Sequence, residues 1–293
     1  MTVPTIPAPK RDSHRPTRLT PPANACDAHC HIFGPAHRFP FAPNRTYTPP
    51  DSGLEELEEL QRRLGLGRAV FVQATCHGTD NRAMLDALER GEGRYAGVAM
   101  IDDTHTNEDL EAMHRLGVRG IRFNFVAHLG GAPDLSRFRR LVDRIAPLGW
   151  HVELHFDAKD LSRHTELLAG LPVPFIIDHM ARVQAADGID QEPFRHLLDL
   201  IETNPRSWVK ISGAERITAD GKPPYDDVVP FAQAVVEVAP DRVLWGTDWP
   251  HPNVGHMPDD GDLVDILADF VPDVTTRNRI LVDNPTVLYD FAS

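Results

Sequence analysis

The sequence predicts an α/β protein whose strands close into a (β/α)8 barrel. Eight short apolar runs recur at fairly even spacing, and each is followed by a stretch with helical periodicity. Neither a Gly-x-Gly-x-x-Gly turn nor a glycine-rich phosphate loop follows any strand, which argues against an open doubly wound sheet. At 293 residues the chain is long for one domain, yet barrels of repeated β/α units routinely reach this size. Its 41% hydrophobic residues suffice for a sizeable core.

Residues 1–23 carry Pro4, Pro7, Pro9, Pro16, Pro21 and Pro22 among scattered basic residues, and read as an extended, mobile arm ahead of a barrel at 24–293. No run there is long and apolar enough for a signal peptide or membrane span. The strands are expected at Ala25–His31, Arg68–Ala74, Tyr95–Met100, Val118–Phe123, His151–Phe156, Phe175–His179, Trp208–Ser212 and Arg242–Thr247, most of them rich in Val, Ile or Phe. Apolar residues three or four apart predict helices over 54–64, 81–90, 108–116, 135–146 and 161–168. The alternation continues over 194–201, 226–238 and 263–270, and 275–281 adds one more helix.

Acidic residues number 43 against 30 basic, a formal charge of −13, so the overall field repels nucleic acid and anionic membranes. A small anionic ligand would then need locally concentrated Arg or His. Three cysteines, Cys26, Cys30 and Cys76, are too few and wrongly spaced for a disulfide framework, which suits a reducing, cytoplasmic setting.

Side chains ending a barrel strand at its C-terminal face point into the active site, and the polar ones here concentrate there. His29 and His31 end the first strand, Thr75, Cys76 and His77 follow the second, and Arg122 and Asn124 end the fourth. His155 lies in the fifth, Asp178 and His179 end the sixth, and Asp248 ends the eighth. His29 and His31, two apart, project to one face, where two imidazoles can share a metal ion. An isolated pair would more often be hydrogen-bonded core; His155, His179 and Asp248 at neighbouring strand ends shift the balance toward a site. His151, on the same face as His155, competes with it as ligand or buried residue. Asp248 stands among Trp249, Pro250 and Pro252, in a stiff and partly dry setting. Asp27 is left out of the catalytic set, since it can simply bond backbone. Arg122 ends a buried strand, where a guanidinium needs a carboxylate, either a ligand's or a protein partner's. Arg216 is a second anion-binding candidate or a surface residue.

The stretches Asp27-Ala28-His29-Cys30-His31, Val72-Gln73-Ala74-Thr75-Cys76-His77, Gly120-Ile121-Arg122-Phe123-Asn124, Ile177-Asp178-His179 and Trp245-Gly246-Thr247-Asp248-Trp249-Pro250-His251 resemble the amidohydrolase superfamily. Within it they resemble the lactonase branch that includes 2-pyrone-4,6-dicarboxylate lactonases, from about Ala25 to Phe291. The resemblance implies a distorted (β/α)8 TIM barrel that hydrolyses a lactone ester, with Asp248 as the base that activates water. It places His29, His31 and His179 around the reacting carbonyl, Arg122 and Arg216 around substrate carboxylates, and Thr75 and His77 at substrate contacts. Two positions depart from the pyrone dicarboxylate pattern. His155 stands where that branch carries tyrosine, which recreates a metal-ligand set of His29, His31, His155 and Asp248 for one zinc or manganese ion. His128 replaces an arginine and removes one anion clamp. Both changes point to a muconolactone, such as a sulfonated one, over the pyrone dicarboxylate. The expected reaction is water attack on the lactone carbonyl, with His179 assisting the oxyanion or leaving group; metal independence stays open. A decarboxylase of the same superfamily, a sugar lactonase and a non-catalytic anion-binding barrel are the alternatives. No Gly-x-Ser-x-Gly elbow supports a serine esterase.

Overall fold

A computed structural model describes residues 3–129 and 131–292, except for the side chain of His128. Eight parallel strands follow chain order around one sheet: β1 (Cys26–Cys30), β2 (Arg68–Val72), β3 (Tyr95–Ala99), β4 (Val118–Asn124), β5 (His151–His155), β6 (Phe175–Ile177), β7 (Ser207–Lys210) and β8 (Val243–Leu244). Helices connect them, as parallel pairing requires.

Ladders run from β1 to β8, but the seam between β8 and β1 has no ladder. Three separate backbone bonds bridge it. The Ala28 amide donates to Trp245 O (2.9 Å), that of Asp248 to His29 O (2.8 Å) and that of His31 to Trp249 O (2.8 Å). The barrel is therefore nearly closed and distorted. β8 is four residues shorter than expected because residues 245–249 leave the extended ladder to make these bonds, and Asp248 takes φ +65°. β6 stops at Ile177 for a related reason: His179, Met180, Ala181 and Arg182 all have φ near +50°, a left-handed turn that ordinary residues adopt only at a cost.

Two apolar layers sandwich the strands. One joins strand residues such as Phe71, Ile121, Val152 and Ile177 to helix residues such as Leu57, Phe138 and Phe194. The other fills the base of the barrel with Ala28, Val70, Val72, Val98, Ile176 and Leu244, capped by Tyr289 and Phe291 from the C-terminal end. The helix expected over 161–168 is broken into Ala158–Leu161, Ser162–His164 and Thr165–Ala169, and the one over 263–270 into Asp260–Asp265 and Leu267–Phe270.

Residues 3–23 run extended along this surface and are tied to it. Lys10 pairs with Asp259, Ser13 Oγ donates to Asp260 (3.0 Å), and the Thr17 and Arg18 amides donate to Asp265. These acceptors lie some 250 residues away in sequence, so nothing in the proline-rich segment itself signals the anchoring.

On β5, His151, Glu153 and His155 alternate onto the inner face. His151 is the deepest, fully buried, with neither ring nitrogen hydrogen-bonded among the described residues, and it fills the space a side chain at Gly120 would need. Burial pushes its pKa from 6.5 down to about 3, with Lys210 adding to the effect. Unfolded chain thus binds a proton that folded chain refuses between those values, so stability is full above pH 6.5 and is lost as pH falls toward 3. In urea unfolding across that range, His151→Leu should flatten the acid slope by about 1.4 kcal/mol per pH unit; an unchanged slope contradicts this account.

Candidate active site at the C-terminal end of the barrel

The register of β1 against β2 shifts between Asp27 and Cys30, a bulge that lets Ala28 and His29 both face the barrel interior. His31 follows, and the two rings meet edge to face at 5.1 Å. The Nδ1–H of His31 donates to the carbonyl of Val72 (2.7 Å), which turns its Nε2 lone pair toward Asp248 Oδ1, 3.1 Å away. Two acceptors at that separation require a proton or a cation between them.

Asp248 is buried and reached from three sides. Its Oδ2 accepts from Arg216 Nε (2.7 Å) and Nη2, while Oδ1 lies 3.6 Å from His29 Nε2 and 3.9 Å from His179 Nε2. Burial pushes this carboxyl upward, but Arg216, His179 and the bond from His31 outweigh it and hold Asp248 well below 3.8. Asp248 is ionised at neutral pH. Burial has the opposite consequence for the imidazoles: His29 and His155 fall well below 6.5, and His179 to about 4. All three are neutral at pH 7, the form that can ligate a metal or accept a proton.

Three of the four expected metal ligands come together. Donor atoms of His29, His31 and Asp248 lie within 4.8 Å of one another, and His29, Asp178 and His179 form a second such group. His155 belongs to neither. Its ring packs edge-on against His179 at 5.6 Å, and its Nδ1 lies 3.1 Å from Asn124 Oδ1 and 3.3 Å from Arg122 Nη2.

Arg122 is buried, with Nη2 3.4 Å from Asp178 Oδ2 and Nε without a partner among the described residues. Arg216, expected to face a ligand, is engaged by Asp248 and by the Pro252 carbonyl. Both nevertheless line one narrow cavity of about 30 Å³ with His31, Thr75, His155, His179 and Asp248. Arg182 lines it too, a residue that sequence reasoning missed because it enters through the left-handed turn after His179. His77 is turned aside: the Gly34 amide donates to its Nε2 (3.3 Å), Phe41 covers its ring, and it lines a neighbouring cavity of about 630 Å³ that shares Thr75 and Leu129 with the first. His128 falls in a 3-10 turn, and its side chain lies outside the described residues.

Beneath the histidines lies a second missed group. Lys210 and Glu153, both fully buried, pair at 2.5 Å, and Asp178 Oδ1 is 3.4 Å from Lys210. Burial and the charge of Asp178 push Glu153 up to about 8, while Lys210 helps to hold Asp178 ionised. The signal was present: a lysine amid the apolar β7, and a glutamate midway between His151 and His155.

The amidohydrolase family pattern matches residues 26–291. The chain belongs to the amidohydrolase family. Over 276 residues this amidohydrolase is 46% identical to the 2-pyrone-4,6-dicarboxylate hydrolase of Comamonas testosteroni, covering 92% of this chain and 90% of the relative. It is 45% identical over 278 residues to the 4-sulfomuconolactone hydrolase of Rhizobium radiobacter, covering 94% and 92%. Among solved structures, a probable 2-pyrone-4,6-dicarboxylic acid hydrolase from Acinetobacter baumannii with citric acid bound superposes at a TM-score of 0.79 and 26% identity, over 92% of this chain and 100% of that one.

In this amidohydrolase Asp27 does not face the cavity. Its Oδ1 accepts from the Thr247 amide (2.9 Å) and the His29 amide (3.2 Å), and its Oδ2 from Thr247 Oγ1 (2.6 Å), so it locks Asp248's segment onto that of His29. Asp27→Ala should lower kcat about 10- to 100-fold with little change in KM. Steady-state kinetics beside a circular-dichroism melt checks this, and an unaltered kcat in a folded variant contradicts it.

Proposed function

We propose that the chain hydrolyses a small anionic lactone formed in the breakdown of aromatic compounds, with water attacking the lactone carbonyl. The observation that carries this reading is one narrow cavity lined by an ionised Asp248, by His31 and a neutral His179, and by Arg122, Arg182 and Arg216, with His29 against Asp248 just behind it. Guanidinium groups favour carboxylates and sulfonates over neutral hydroxyls. The two curated relatives are named for lactones bearing such groups. A sulfonated or otherwise substituted muconolactone is the preferred substrate, with 2-pyrone-4,6-dicarboxylate next.

In this reading Asp248 takes the proton from water as the new C–O bond forms. His179, whose Nδ1 is hydrogen-bonded to Ser212 Oγ (2.8 Å), steadies the developing oxyanion or hydrogen-bonds to the departing ring oxygen, which takes up the proton held by Asp248 as the ring C–O bond breaks. Arg122 and Arg182 hold the acid substituents, and Arg216 is shared between the substrate and Asp248. A zinc or manganese ion fits the facing acceptors of His31 and Asp248, with His29 as third donor when its Nε2 carries no proton. Bound there, such an ion would supply Lewis-acid chemistry to the attacking water and the lactone carbonyl. A cytoplasmic setting suits the chain, since Cys26, Cys30 and Cys76 are all free thiols. Among the described residues no helix is long and apolar enough to cross a membrane.

A panel of 4-sulfomuconolactone, muconolactone, 2-pyrone-4,6-dicarboxylate and an aldonolactone tests the reading: the anionic ring lactones should open and the aldonolactone should not. Asp248→Asn should cut kcat about 10²- to 10⁴-fold; ring opening at the native rate would sink the proposal. Arg122→Met should chiefly raise KM for acid-bearing lactones. Chelation should reduce turnover and added zinc or manganese restore it, whereas full activity in metal-stripped protein assigns water activation to the side chains alone.

A further inference from the structure

Lys210 has no part in the chemistry above, yet it sits at the centre of the barrel with no solvent exposure. Its Nζ lies 2.5 Å from Glu153 Oε2, 3.0 Å from His29 Nδ1 and 3.4 Å from Asp178 Oδ1. An ammonium group only donates, so the His29 Nδ1 facing it must present a lone pair, and the ring's single proton then sits on Nε2. Among the described residues that Nε2 has no hydrogen-bond partner, and it lies 3.6 Å from Asp248 Oδ1.

His31 is arranged the opposite way. Its Nδ1–H is committed to the Val72 carbonyl, which is the outer-shell contact a metal-bound histidine needs to free Nε2. The acceptor that would do the same for His29 is already in place, since Asp178 Oδ1 lies 3.3 Å from its Nδ1. Lys210 and Asp178 therefore compete for one nitrogen, with opposite consequences for the other.

We propose that Lys210 is a positioning residue that fixes His29 as the Nε2–H tautomer, so that a divalent ion beside Asp248 is held weakly, with His31 and Asp248 as its protein ligands. Losing the ammonium lets His29 donate Nδ1–H to Asp178 and makes it a third ligand.

Nitrogen-15 NMR of the full chain, stripped of metal, reads the tautomer directly: His29 should carry its proton on Nε2 and leave Nδ1 bare. Zinc affinity, measured by competition with a chromogenic chelator, should rise about tenfold or more in Lys210→Met combined with Glu153→Gln, the second change removing the carboxylate that would lose its counter-charge. Lys210→Arg keeps a donor and should bind zinc as the native chain does. A purely structural lysine would weaken zinc binding when lost, so the direction of change discriminates. An Nδ1–H proton on native His29, or zinc affinity unchanged or lower in the folded double variant, overturns the proposal. Neither measurement involves lactone turnover, so this inference and the proposed function can fail separately.

Discussion

Closure of the barrel between β8 and β1 is the constraint on which the site depends. β8 contributes only two residues to the ladder, and the remaining contact is carried by backbone bonds from Ala28, His31 and Asp248 and by the carboxylate of Asp27. The approach is close enough that a Cβ at Gly246 would fall 2.4 Å from the His29 amide nitrogen. Because the Asp248 amide donates to the His29 carbonyl, the acid and the imidazoles are placed by the same hydrogen bonds that close the fold. The positive φ of Asp248 is sustained by that network, a local cost of the kind found where side chains must be aimed.

Charge compensation is the second organising principle. Behind His29 and His155 lie Lys210, Glu153, Asp178 and Arg122, a cluster that would be prohibitively costly as isolated charges and is tolerated because each meets an opposite one. The apolar layer at the base of the barrel, with the partnerless His151, excludes water from below. In such surroundings Asp248 stays ionised through Arg216 while the histidines stay neutral. One desolvated pocket thus contains a charged acceptor and uncharged imidazoles at the same pH.

Most strands were legible because a parallel barrel strand is apolar on both faces, and seven of the eight lie within about two residues of the expected ends. The failures share a cause. β8 and the end of β6 depart from extended backbone at Asp248 and at His179–Arg182, where tertiary bonds hold conformations that local propensity disfavours. Helices that break into short pieces around 158–169 and 260–270 were read as continuous because periodicity records which residues are buried and not whether the axis bends.

By itself the sequence determined the alternation of strands and helices and the concentration of polar residues, His29, His31, Arg122, His179 and Asp248 among them, at or just past the strand ends, since these follow from residue type and period. Tertiary structure alone decided which of them meet. His155 packs edge-on against His179 and bonds Asn124, Arg216 grips Asp248, Arg182 enters the cavity, and Lys210 reaches His29 across the barrel. Spacing along a strand gives a face but not a distance between strands, and hydrogen-bond partners are set by ångström-scale separations across the barrel.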